Sequence, residues 1–375
     1  MSKGESNEYD ILSSAERRSG AEERWVSFQP YLLSKGYRLR PRYSPEWVPS
    51  WKTSGLRPDY CEDSIDSMPL RVLDAIRIKD QNQVMIKMLI PKQGEGEDEL
   101  AILKHFASPS LKDDTANHVV PCLDSFPISA TEPGHFVIMP LLRQYDDLPF
   151  KRLSEVHDFL QQIFEGLLFM HRNSVAHCDI SSANIMMDSR ILYDEPFHPV
   201  EQTLSLDIQR MVYPKYSRLE KRVRYYFIDM GFASWFRDPS APRLVTRKPA
   251  RIMSPEQTER SPYDPFLVDI YQLGTVIKQD LIPQISVLDF LIPLAEAMTR
   301  SDPSTRPTLT KAQDSMNTAF LGLSGTRYRW PLVPHEAGFR ARWIYYVWGV
   351  ASEIRYWLDR MLRMLVKLNV RGPGH

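Results

Sequence analysis

Apolar positions between Leu70 and Leu89 alternate in two runs, split by the polar KDQNQ at 79–83. Alternation sends every second side chain to one face, so the stretch predicts a hairpin of two strands. The acidic, Gly-bearing KQGEGEDE leads into LAILKHFAS, a short helical pattern, and HVVPCLDSF and HFVIMPLL are two further β-rich segments. Past Asp146 the period changes. Val156, Phe159, Leu160, Ile163, Leu167 and Met170 recur at helical spacing, with Ser154 as the predicted cap. FLVDIYQLGTVIKQ, SVLDFLIPLAEAMTR and TLTKAQDSMNTAFLG continue that pattern. A strand-rich small part before a helix-rich large part predicts an α+β chain of two lobes with a cleft between them.

Outside this central region the patterns are weaker. Residues 1–22 are polar and predict a flexible N-terminus. Residues 23–64 mix aromatics with prolines, as in RPRYSPEWVPSW, and predict an extended segment packed on a neighbour, because each Pro drives its predecessor out of the helical region. Residues 323–375 hold an amphipathic helix, whose stripe runs Val347, Ala351, Ile354, Leu358, Met361, Leu365 and Leu368, with Arg355, Arg360, Arg363 and Lys367 largely off it. A basic helix rich in Trp and Tyr can lie on an anionic membrane through residues 340–371 or in a partner groove. Its wide aromatic stripe favours docking on the large lobe instead.

Composition changes the picture little. Of 375 residues, 47 are Lys or Arg and 47 are Asp or Glu, so no global field points to nucleic acid or acidic lipid, and any electrostatic function is local. The N-terminus lacks the apolar run of a secretory signal, and WIYYVWGVAS is shorter than the roughly 18 residues a bilayer span needs. Cys61, Cys122 and Cys178 have neither paired nor metal-type spacing. Cytosol or nucleus is the expected compartment, not secretion.

Three clusters carry candidate chemistry. In HCDISSANIMMD, Asp179 and Asn184 can be aimed by one turn at one point: a carboxylate to orient or accept a hydroxyl proton, an amide oxygen for a divalent cation. In YYFIDMGFAS an apolar strand ends at Asp229, and Gly231 permits a sharp departure, an arrangement suited to a Mg²⁺ ligand. In VMIK, Lys87 faces inward on a strand and needs a partner, and Glu99 opens the next helix. Taken singly, each also reads as an ordinary turn, strand end or solvated edge Lys.

The order Lys, Glu, H-x-D-x-x-x-x-N, D-x-G resembles the eukaryotic protein kinases. SPE at 254–256, DIYQLG at 269–274 and SDPSTRP at 301–307 extend that resemblance, which covers residues 65–322. YSPEWVPSW, HDFLQQIFEGLLFMH and SPYDPFLVDIYQLG are also similar to a protein-kinase-like family of mushroom-forming fungi. The resemblance implies a bilobal fold with an N-lobe at 65–142 and a C-lobe at 143–322, ATP and Mg²⁺ as cofactors, and transfer of the γ-phosphoryl to Ser or Thr of a protein. It implies that Lys87, paired to Glu99, contacts phosphates. Asp179 is then the catalytic base, and Asn184 and Asp229 hold Mg²⁺. Met139 is the gatekeeper, Pro140 to Leu142 form the adenine hinge, His177 and Asp269 support the loop, and Glu256 and Arg306 form a buried ion pair.

Four departures bear on activity. No glycine lies in DSIDSMPLRVLD, where a phosphate-covering loop is expected. Cys178 and Ser181 stand where the family has Arg and Lys. Asn184 and Asp229 are 229 − 184 = 45 positions apart, with an insertion at 190–222. Arg247, Lys248 or Arg251 is a candidate replacement cation. A nucleotide-binding pseudokinase and, less favoured, a small-molecule kinase remain as alternatives.

Overall fold

The computed structural model describes residues 16–67, 70–90, 96, 98–128, 133–238, 240–246, 249–259, 261–333 and 338–370. Residues 1–15 of the predicted flexible N-terminus lie outside them. The chain is of the α+β class, 46% helix and 14% strand, and divides into two compact units. Met1–Arg143 and Met186–Trp235 form the first, and Gln144–Ile185 and Phe236–His375 the second. The division differs from the one expected: residues 186–235, with the insertion and Asp229, belong to the first unit.

The first unit is built on a curled antiparallel sheet. Its strands are β1 (Tyr37–Arg38), β2 (Val72–Arg77), β3 (Asn82–Leu89), β4 (Asp124–Pro127) and β5 (His135–Pro140), in the spatial order β1-β2-β3-β5-β4. The hairpin of β2 and β3 is as predicted, with Val72 opposite Lys87 and Asp74 opposite Met85. On β5, Val137 faces Lys87 and Met139 faces Met85. Directly paired and alternate residues share a face, so Lys87, Met85 and Met139 lie on one side of the sheet.

The other side of the sheet holds the core and corrects the reading of residues 23–64. Helix α1 (Gly20–Ser34) crosses it, although Pro30 lies inside the helix. Ser19 and Glu22 close a capping box at its start. Trp25, Phe28 and Leu32 pack with Leu73, Val84, Ile86, Phe136 and Ile138, and Phe28 meets Phe136 edge-on at 5.3 Å. Burying each such side chain contributes about 1.5–3 kcal/mol, which outweighs the propensity lost at one Pro. Residues 37–64 then turn through short helical segments around the completely buried Arg42–Glu22 pair.

The insertion is also folded. Its ends are joined where the Asp188 amide donates to the Arg224 carbonyl at 2.9 Å. Gln83 donates to the Phe197 carbonyl (2.8 Å), Arg143 to Gln202 (2.7 Å) and Tyr193 (2.8 Å), and His198 lies 3.2 Å from Glu62. The insertion is thereby fixed to the sheet and to the N-terminal segment. KYSRLEKRVR at 215–224 holds a capped helical turn whose Arg218 is buried and donates to the Tyr225 hydroxyl. Helix α2 (Glu99–Phe106) and strand β6 (Tyr225–Phe227) complete the unit.

The second unit is helical. Helix α3 (Leu153–Arg172) buries the predicted stripe, but its cap is Arg152, and Ser154 is buried in the first turn. The start shifts because the Glu155 carboxylate reaches back to the Lys151 amide at 2.7 Å. Helices α4 (Pro265–Thr275), α5 (Ile292–Met298) and α6 (Leu309–Leu321) follow, and α4 runs on into a π-helical stretch at Val276–Leu281. Gly274 brings α4 against α5, since a Cβ there would stand 2.6 Å from the Met298 Cβ. Gly274→Ala is expected to cost about 1–3 kcal/mol through overpacking. Guanidinium unfolding checks this, and an unchanged midpoint would show that the helices separate freely.

Helix α7 (Phe339–Val370) ends the unit and differs from expectation. It docks by one side: Glu353 pairs with Arg329 (2.8 Å), Ser352 accepts from Arg152 (3.1 Å), Gly349 meets Trp330, and Tyr346, Trp348 and Tyr356 lie against Trp330, Arg152 and Arg329. The described part of the apolar stripe stays exposed, with Val347 at 60%, Ile354 and Leu358 at 55%. The side chains of Leu365 and Leu368 lie outside the described residues.

Candidate functional site

In the first unit Lys87 sits in the middle of β3, where the pleat aims it away from the α1 core. Its Nζ lies 2.6 Å from Glu99 Oε1 and 2.7 Å from Asp229 Oδ1. The Lys87 and Glu99 side chains are 14% and 5% exposed, while that of Asp229 is half exposed. Burial pulls the Lys87 ammonium down, but Glu99 and Asp229 outweigh it and hold the pKa above the ordinary lysine value. Burial also pushes Glu99 up against the pull of Lys87. We take the ionised pair as the folded species, because a neutral Glu99 would forfeit the charge behind its 2.6 Å contact.

Asp229 follows β6 with φ +60°, in the left-handed region. The sharp turn is therefore at Asp229 itself and not at Gly231, whose role is spatial: a Cβ there would stand 3.2 Å from Asp229 Oδ1. The Gly231 carbonyl accepts the Gly96 amide at 2.8 Å, which ties this turn to the approach of α2. Met139 is half-buried, and Pro140 and Leu141 are buried at the end of β5.

In the second unit the loop 177–184 is held from α4. Buried Asp269 accepts the amides of His177 (2.9 Å) and Cys178 (2.8 Å) and lies 2.8 Å from His171 Nε2. Cys178 is buried with φ +67°, strained for a residue with a side chain. Gln272, one turn after Asp269, accepts the Ile180 amide and donates to the carbonyls of Cys178 and Ile252. The sequence reading missed Gln272. Its i, i+3 spacing from Asp269 is the signal that could have found it.

Asp179 is buried, and both its oxygens are engaged. Oδ1 accepts the Arg251 backbone amide at 2.6 Å, and Oδ2 accepts Asn184 Nδ2 at 2.9 Å. Arg251 thus reaches the loop by its backbone, with its side chain exposed, and Arg247 and Lys248 lie outside the described residues. Ser181 is buried, and its hydroxyl has no partner among the described residues. Glu256 and Arg306 form the two-pronged ion pair expected, at 2.6 and 2.8 Å.

The sequence-derived residues therefore assemble as two local groups: Lys87, Glu99 and Asp229 in one unit, Asp179 and Asn184 in the other. Among the described residues no group of three or more His, Cys, Asp or Glu is placed to hold a metal. No helix among them is long and apolar enough to cross a membrane. No protein-family model matches the chain, and no curated protein matches it.

Proposed function

We propose that the two units are the lobes of a protein-kinase-like fold, and that the chain transfers the γ-phosphoryl of ATP to a Ser or Thr hydroxyl of a protein. The observation that carries this reading is the half-buried Lys87 held between Glu99 and Asp229. A lysine fixed in one rotamer by two acids is pre-organised to meet phosphate oxygens, and phosphoryl transfer depends chiefly on such positioning. In this reading Met139, Pro140 and Leu141 face the adenine.

One ammonium between two carboxylates leaves a net formal charge of −1, which favours a further cation at the cluster. Asp229 in the first unit and Asn184 in the second each carry a hard oxygen of the kind that Mg²⁺ takes, and few protein ligands would be needed where phosphates complete the shell. Bound there, the metal would neutralise phosphate charge. Asp179 would orient the acceptor hydroxyl and take its proton.

A second reading, a nucleotide-binding pseudokinase, is favoured by Asp179 being saturated by Arg251 and Asn184. Thermal shift with Mg·ATP, run beside labelling by radioactive ATP, separates the two. The enzyme reading expects a rise in melting temperature, incorporated label, and loss of both in Lys87→Met. A shift without label would favour the pseudokinase, and the absence of a shift would sink both.

A further inference from the structure

We propose that α7 lies in the plane of an anionic lipid surface and attaches the protein to it. This rests on α7 alone and not on the kinase reading. The docked side of the helix is used up by Gly349, Ser352 and Glu353. The opposite side presents Trp343, Val347, Ile354, Trp357, Leu358 and Met361, each at least half exposed. At 3.6 residues per turn these form a stripe roughly 120° wide over about five turns. No described residue covers it.

Charge selects the occupant. From Phe339 to Val370 the sequence has six basic residues against two acidic ones, in a chain whose total charge is zero. One of the two acids, Glu353, is already paired with Arg329. Arg340, Arg342 and Arg360 are exposed, Arg340 at the edge of the stripe and the other two at the ends of the helix beyond the docked contacts. A second copy would bring the same positive borders against these, so a symmetric dimer is opposed electrostatically. An anionic bilayer offers the complementary charge, an apolar layer for Leu and Ile, and an interface that Trp and Tyr prefer. The scattered charges that stop α7 from crossing a membrane are what an in-plane helix requires.

The test is co-sedimentation of the full chain with vesicles of phosphatidylcholine, alone or mixed with phosphatidylserine, together with tryptophan emission. Expected are partitioning and a blue shift with phosphatidylserine only, weakened by salt. The triple reversal Arg340→Glu, Arg342→Glu, Arg360→Glu should lower partitioning by at least about tenfold, and the corresponding Arg→Lys triple should keep it. The pair Val347→Glu and Leu358→Glu should abolish it, and circular dichroism should show unchanged folding because both residues are exposed. Equal binding to both vesicle types, binding insensitive to every variant, or a dimer in solution that Leu358→Glu dissociates would overturn the proposal.

Discussion

On the proposed kinase reading, Asp179→Asn is expected to lower phosphoryl transfer by roughly 10²–10⁴-fold, the usual contribution of a positioned base, while Mg·ATP still raises the melting temperature. The change is nearly isosteric but alters the hydrogen bonding. The carboxylate accepts from the Arg251 amide on one oxygen and from Asn184 on the other. An amide can accept on one side only, so its NH₂ would face a donor and one contact must open. Some local loosening therefore accompanies the lost carboxylate. Asn184→Ala tests for that, because it removes one partner and leaves the carboxylate. If Asp179→Asn transfers label within a factor of two of the wild type, Asp179 has no catalytic role. If Asn184→Ala matches its loss and also loses the Mg·ATP shift, metal binding rather than proton transfer is the step affected.

The largest stability effect is expected far from these residues, at Arg42. Its guanidinium is buried against Glu22 and also donates to the carbonyls of Asp63 and Arg17 at 3.0 Å. Arg42→Met leaves the Glu22 carboxylate buried without its counter-charge, which costs about 3–5 kcal/mol. The double variant Arg42→Met with Glu22→Gln should recover part of this, and a denaturant series measures both. Burial pushes the Glu22 pKa up, but Arg42 and the Ser19 amide outweigh it, so the value in the fold lies below the ordinary 4.5. Its stabilisation is then present above pH 4.5 and is lost as pH falls through the lower, folded value. Arg42→Met should flatten that acid limb. An unchanged denaturation midpoint would mean that α1 is not held by this pair.

Lys87, Glu99, Asp179, Asn184 and Asp229 are legible as candidates because each lies in a short stretch whose residue types and spacing suit the proposed chemistry. Lys87 and Glu99 are twelve positions apart on adjacent elements, and their 2.6 Å contact follows from strand alternation and a helix start. Asp269 and the Glu256–Arg306 pair were expected only from the resemblance to the protein kinases, since the pair spans 50 positions and no local spacing points to it.

The sequence by itself therefore determined the hairpin, the long helix α3 and Glu99 as the partner of Lys87, since a period of two or 3.6 is a local property of the chain, whereas the contact of Lys87 with Asp229 came with the fold. Only the tertiary structure decided the rest. Pro30 argued against α1, but the sheet supplied an apolar face whose burial outweighed it. The sequence offers Arg251 as a candidate cation, yet it is the Arg251 backbone amide that reaches Asp179, from 72 positions away. The insertion found its partners on β3 and at Glu62. Helix α7 kept its stripe exposed because the surface beside it engages a different side. Each outcome depends on which groups remain to be buried or hydrogen-bonded once distant segments meet, and no periodicity within a single segment encodes that.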